Sequence, residues 1–191
     1  MSEIQLLPAD SISVHSRSLL GWLIRKAETG PKEGRAYANH SANITFERCV
    51  TEALWHVTKS SFDPWLQKHT DFEIWRHTGL TPEQRETVAR KAESYIGRQY
   101  GWWKLLIHLL DAFLTFLRRK ETYFFRRMMF YDRYPICSWV EAYAYKAVQI
   151  DFGCAPNAAD PDVIQDYKKA HPESWKLIVK AERGIISINR S

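Results

Sequence analysis

The stretch Tyr134-Pro135-Ile136-Cys137-Ser138-Trp139-Val140-Glu141-Ala142-Tyr143 decides how this chain is read. Pro135 and Ile136 predict extended backbone. After them Val140, Ala144, Ala147 and Val148 recur at helical spacing. Cys137 is therefore expected in the first turn of a helix that runs to about Val148. Unpaired N–H groups and the helix dipole favour a thiolate at that position. A nucleophilic cysteine needs this, because the thiolate is the attacking species. The competing reading is a small buried residue at a strand–helix junction, the usual state of a lone cysteine.

Upstream of this helix the pattern is mostly of period two. Ser11-Ile12-Ser13-Val14, Ala42 to Phe46, Glu52 to Val57 and Phe72 to Arg76 predict strands. Ser18 to Ala27 has helical spacing, and Gly30 to Gly34 is a loop. Thr81-Pro82-Glu83-Gln84 is a helix start, with Thr81 as N-cap and Gln84 placed to close a capping box. Val88, Ala92, Tyr95 and Ile96 are expected to face inward, and Gly97 to stop the helix. Downstream of Cys137, Asp160 caps a short helix to Lys169, and Trp175 to Val179 with Gly184 to Ile188 form a terminal hairpin. The fold class is α+β, a small antiparallel sheet packed against helices.

The 191 residues suit a single domain, 1–191, with a helical, aromatic and basic elaboration at about 101–133. Hydrophobic residues make up 45% and aromatics 14%, enough for a real core. The net charge of +5 permits an anionic partner, but no nucleic-acid-binding signature accompanies it, and no nucleic-acid partner is expected. The three cysteines, Cys49, Cys137 and Cys154, form no CxxC pair, which suggests reduced thiols. With no signal-peptide layout near Met1, the expected location is cytoplasmic, with peripheral contact at a membrane as an option. Cys49, His56 and His40 do not make a closed ligand set, so neither a metal nor another cofactor is expected.

A thiolate needs a base, and the base needs an orienting group. Among seven histidines, His40 in Asn39-His40-Ser41 stands where a loop enters a strand. Glu52 follows on the next strand and can return to the same height across an antiparallel pair. Asn39 and Asn43 are the alternatives for the orienting role. Taken singly, His40 could be a solvated loop histidine and Glu52 a strand-edge carboxylate.

The segments Asp10-Ser11-Ile12, Asn39 to Ile44, Val50 to Ala53, Tyr95 to Tyr100, Ile136 to Val140 and Asp160 to Ile164 occur in an order that resembles the circularly permuted branch of the papain-like, NlpC-type superfamily. That group includes YiiX-like hydrolases and, more distantly, lecithin retinol acyltransferase. The resemblance covers roughly Asp10 to Tyr167. It implies a permuted papain-like fold in which His and the third polar residue precede Cys. It implies Cys137 as nucleophile, His40 as general base and Glu52 as the orienting residue. Tyr100 would lie near the cleft, with Trp103 and Trp139 as further substrate contacts. Trp139 departs from the acidic residue often found after Cys-Ser in that family, which bears on the substrate more than on the chemistry.

Trp102 to Leu117 is strongly apolar with one polar stripe, Lys104, His108, Asp111 and Thr115. It reads either as a helix buried on three sides or as a lid resting on a membrane, with Arg118, Arg119, Lys120, Arg126 and Arg127 meeting anionic headgroups. The expected function is a thiol hydrolase or acyltransferase acting on an acyl, peptide or lipid-like substrate through an acyl-thioester, with an anionic membrane surface as a candidate partner. The alternative is a non-catalytic membrane- or partner-binding module on the same fold. The oligomeric state is not legible in the sequence.

Overall fold

The structure, a computed structural model, describes residues 5–16, 37–99 and 136–189. Its centre is one sheet of seven strands in the order β4-β3-β2-β1-β5-β6-β7. The strands are β1 (Asp10–Val14), β2 (His40–Ile44), β3 (Cys49–Ala53), β4 (Val57–Ser61), β5 (Phe72–His77), β6 (Trp175–Glu182) and β7 (Ile185–Ile188). Every neighbouring pair is antiparallel. Among the described residues, four α-helices accompany the sheet: α1 (Phe62–Leu66), α2 (Pro82–Glu93), α3 (Cys137–Lys146) and α4 (Pro161–Ala170). The class is α+β, as expected.

Strand β1 shows why the sheet sits in the middle. All five of its residues are buried. Ile12 and Val14 face one way, into a cluster with Ala42, Ile74, Phe62 and Trp65. Ser11 and Ser13 face the other way, and there two charged side chains from the helices meet them. Ser11 Oγ donates to Glu141 of α3, and Lys168 of α4 donates to Ser11. Lys168 and Glu141 form an ion pair of 2.9 Å, both with no exposed side-chain surface. The Lys168 ammonium also lies 5.6 Å from the centre of the Trp175 ring, within cation–π range. Beside this group, Gln165 donates to Glu73 at 2.6 Å. The serine alternation of β1 reads like a solvated face but is a polar seam between sheet and helices.

The local signals that rest on backbone chemistry agree with the structure. Thr81 and Gln84 close the capping box at the start of α2. Asp160 caps α4 by accepting from the Val163 N–H at 2.8 Å, and Gly97 has a positive φ of 82°. Several extents differ. The strand expected over Glu52 to Val57 straddles a turn, so Ala53 ends β3 and Val57 begins β4. The β2 strand begins at His40 rather than Ala42. Helix α1 has only five residues and was not anticipated, because it is too short to show a helical period. Tyr95 is buried, but Ile96 is 43% exposed, since α2 ends at Glu93 and the inward face ends with it. Helix α3 ends at Lys146, leaving Ala147 exposed. The sheet also has more strands than the sequence suggested. The elements expected over 18–27 and 102–117, and the elaboration at 101–133, lie outside the described residues. Among the described residues, no helix is long and apolar enough to cross a membrane.

The buried Lys168–Glu141 pair makes a stability test. Removing one partner leaves an uncompensated buried charge, and Lys168→Met is expected to cost about 3–5 kcal/mol. The double change Lys168→Met with Glu141→Leu should recover most of that loss. Denaturant unfolding midpoints of the two variants, compared at equal slope, check this.

Candidate active site

The β2–β3 hairpin puts an imidazole beside a carboxylate. Ala42 pairs with Glu52 across the two strands. His40, two residues before Ala42, projects to the same face and reaches Glu52 diagonally. His40 Nε2 and Glu52 Oε2 are 2.8 Å apart. Glu52 is 5% exposed, and the His40 side chain is 13% exposed. Glu52 is the fourth residue of its strand rather than the first, but the neighbour relation deduced from spacing holds.

Helix α3 brings the thiol. Its N-cap residue is Ile136, whose extended backbone offers no side-chain cap, and the first turn carries no acidic residue. The Ile136 carbonyl takes the Trp139 and Val140 N–H groups. The N–H groups ahead of these, on Cys137 and Ser138, fall among the first four that a helix leaves unpaired. Cys137 is 6% exposed and belongs to the same buried cluster as Ala53 and Val57, at the end of the β3–β4 hairpin. Its sulfur lies near the start of β2, close enough to the His40 ring and to the backbone N–H groups of Ser41 and Ser138 for each to favour the thiolate. Ser138 Oγ donates to the Ala159 carbonyl at 2.9 Å and ties the first turn of α3 to the entry of α4. Asp162 of α4 in turn accepts from the Tyr37 N–H at 2.8 Å, three residues before His40. The thiol and the imidazole are therefore positioned by one connected frame.

The charges follow from this geometry. Burial opposes a charged imidazole at His40, but the Cys137 thiolate and the Glu52 carboxylate outweigh it and raise the pKa to about 10. Burial likewise opposes ionisation of Cys137, yet the adjacent His40 charge and the two backbone N–H groups bring its pKa below the ordinary value of 9.0. For Glu52, burial is again the opposing influence, and His40 lowers its pKa below the usual 4.5. The three shifts together favour thiolate, imidazolium and carboxylate over their neutral forms. The His40 contribution to stability is fully present below its ordinary pKa of 6.5 and is lost as pH rises through about 10. The Cys137 contribution is present above 9.0 and is lost as pH falls through its lowered folded value. Cys154 behaves in the opposite way, its thiol pushed up to about 11 by burial and by the nearby Asp160 and Asp151 charges.

Of the two alternative orienting residues, Asn39 is engaged elsewhere. Asn39 bonds the backbone of Ser16, accepting from its N–H at 2.8 Å and donating to its carbonyl at 2.7 Å. Asn43 is three residues from His40, so strand alternation turns it to the opposite face. Trp139, expected to contact substrate, is only 1% exposed and packs in a small cluster with Ile136 and Tyr143, which leaves it little surface to offer a ligand. Tyr100 and Trp103 lie outside the described residues. Sequence reasoning missed Trp65 and His69, which stack on each other at 4.0 Å between ring centres in the layer behind Glu52. Their i, i+4 spacing was the available signal.

No known family profile matches the chain, and no curated protein is similar to it in sequence. A search of solved structures finds the metalloprotein YiiX from Escherichia coli O157:H7 at a TM-score of 0.56 and 18% identity, spanning 97% of this chain and 98% of that one. At that identity the likeness is one of fold, and it runs nearly end to end in both chains.

Alkylation separates the thiols. Cys137 should react with iodoacetamide at neutral pH despite its burial, with a rate that levels off below pH 9. Cys154 should remain slow until strongly alkaline pH. Peptide mapping after timed alkylation at a series of pH values reads both. Faster modification of Cys154 than of Cys137 at pH 7 would contradict the charge arrangement.

Proposed function

We propose that the protein is a cysteine-dependent hydrolase or acyltransferase on a permuted papain-like frame. The observation that carries this reading is the alignment of Cys137, His40 and Glu52. A thiol at a helix start, an imidazole at a strand start and a carboxylate on the neighbouring strand are buried together with the Cys–His pair biased toward its charged form. A buried ion pair of this kind is costly to maintain for structure alone, and perturbed groups of complementary role mark reactive centres. The end-to-end likeness to YiiX supports the frame, in which the residues carrying base and orienting group precede the nucleophile.

In this reading the Cys137 thiolate attacks the carbonyl carbon of an amide or ester. The developing oxyanion is met by backbone N–H groups at the start of α3. The His40 imidazolium gives its proton to the departing amine or alcohol, leaving a thioester on Cys137 and a neutral imidazole. Water or an acceptor amine then attacks the thioester while His40 takes up its proton, and the thiolate leaves. Glu52 keeps Nε2 of His40 engaged, so that the other ring nitrogen faces the sulfur throughout. The substrate class is an acyl, peptide or lipid-like carbonyl compound.

YiiX is described as a metalloprotein. Among the described residues here, no group of three or more His, Cys, Asp or Glu side chains is arranged to hold a metal ion. Nε2 of His40 is already held by Glu52. This donor set does not fit a metal centre, and the proposed steps use none.

A thiol-directed acyl probe tests the proposal. The wild type should be labelled at Cys137, and Cys137→Ala should lose the label. His40→Ala should slow labelling by about 10²–10⁴-fold. Glu52→Gln should have a smaller effect, because an orienting group contributes less than the groups that exchange the proton. Undiminished labelling of Cys137→Ala would overturn the assignment.

A further inference from the structure

Behind Glu52, on the side away from the nucleophile, the site continues into α1. Trp65 is among the largest fully buried side chains, at 1% exposure. It shares the cluster that contains Ala42, the cross-strand partner of Glu52. Its indole N–H is buried without an acceptor in hydrogen-bond geometry, yet it lies close enough to Glu52 to favour the ionised carboxylate. An orphaned buried donor is unfavourable, and a small rotation of the Glu52 carboxylate would satisfy it. His69 fixes the indole from its far face. The two rings stack with an interplanar angle of 14°, and His69 Nδ1–H donates to the Trp65 carbonyl at 2.8 Å. That bond leaves Nε2 as the open nitrogen of His69.

We infer that Trp65 and His69 are positioning residues for the Cys137–His40–Glu52 centre, the stacked pair walling Glu52 from behind and supplying an N–H that receives its carboxylate when His40 gives up its proton. This rests on the hydrolase or acyltransferase reading. Once the imidazole is neutral, the buried carboxylate has lost its cation, and the Trp65 N–H is the donor placed to stabilise it. The charged and titratable groups that act on Glu52 are His40 from β2 and His69 just after α1, and Lys68 acts in turn on His69. Burial keeps His69 neutral more readily than an ordinary histidine, and the His40 charge adds to that effect. His69 therefore serves mainly as a stacked wall at neutral pH.

The test is the pH dependence of iodoacetamide alkylation at Cys137 in the full chain, for wild type, Trp65→Phe and His69→Asn. Trp65→Phe keeps the stacked ring and removes the N–H. His69→Asn keeps a donor for the Trp65 carbonyl and removes the ring. Loss of the backing makes Glu52 harder to keep ionised, which weakens the imidazolium and hence the thiolate. The acid limb of the profile should move to higher pH by about one unit, an approximately tenfold slower reaction on that limb, with the plateau rate unchanged. A purely structural role would lower the thermal midpoint without moving the limb. If the wild type shows the depressed limb and both folded variants share it, this inference is overturned and the Cys137–His40 reading stands. If the wild type itself titrates like an ordinary thiol, both fall. Should Trp65→Phe not fold, the half-buried His69→Asn decides the matter by the same limb.

Discussion

The site depends on the register of the β2–β3 hairpin. A slip of one residue would turn His40 to the opposite face of the sheet and separate it from Glu52. The turn that sets this register contains two consecutive residues in the left-handed region, Glu47 at φ 56° and Arg48 at φ 54°. Neither is the glycine or asparagine that such a turn prefers. The backbone tolerates them because the left-handed pair matches the twist of the strands it joins. Thr45, just before the turn, bonds its N–H to the Cys49 carbonyl at 2.7 Å and closes the hairpin. A short, strained connection thus fixes which two side chains meet some way up the strands.

Electrostatics then decides what that meeting means. Each of the three groups is disfavoured as an ion by its burial, and each is retained as an ion by its neighbour. The balance is cooperative. Neutralising Glu52 weakens the case for an imidazolium, and neutralising His40 removes the main support of the thiolate. The helix start contributes independently of this chain of charges, since the Ser138 N–H faces the sulfur whatever the state of His40. The sheet thus sets the charge of the imidazole and through it most of the support of the thiolate, and the helix start adds a backbone N–H at the sulfur.

How much of this could be read in the sequence varied with the kind of signal. Thr81 and Gln84, Asp160 and Gly97 were legible because each acts on backbone groups within a few residues of itself. His40 and Glu52 were legible because their separation matches one hairpin. The Glu52 to Val57 run was misread because Leu54 and Trp55 are apolar yet exposed, at 46% and 74%, so composition hid the turn. Helix α1 was too short to carry a period, and with it went the Trp65–His69 layer. Lys168 and Glu141 look like residues of solvated helix faces. Their burial is set by Ser11, more than a hundred positions away, and no local pattern encodes that meeting.

The seam of Ser11, Glu141 and Lys168 has a consequence for how such a protein changes over generations. The ion pair within it has no stable intermediate composition, since losing either charge strands the other in the interior. Apolar replacements for both could be accommodated together, but single steps toward them cross a valley of low stability. The two positions would drift rarely and in concert, and in an alignment they would look as restrained as Cys137. Invariance at these two buried charges would record epistasis between the helices α3 and α4, and separating it from chemical constraint requires knowing which residues reach the sulfur.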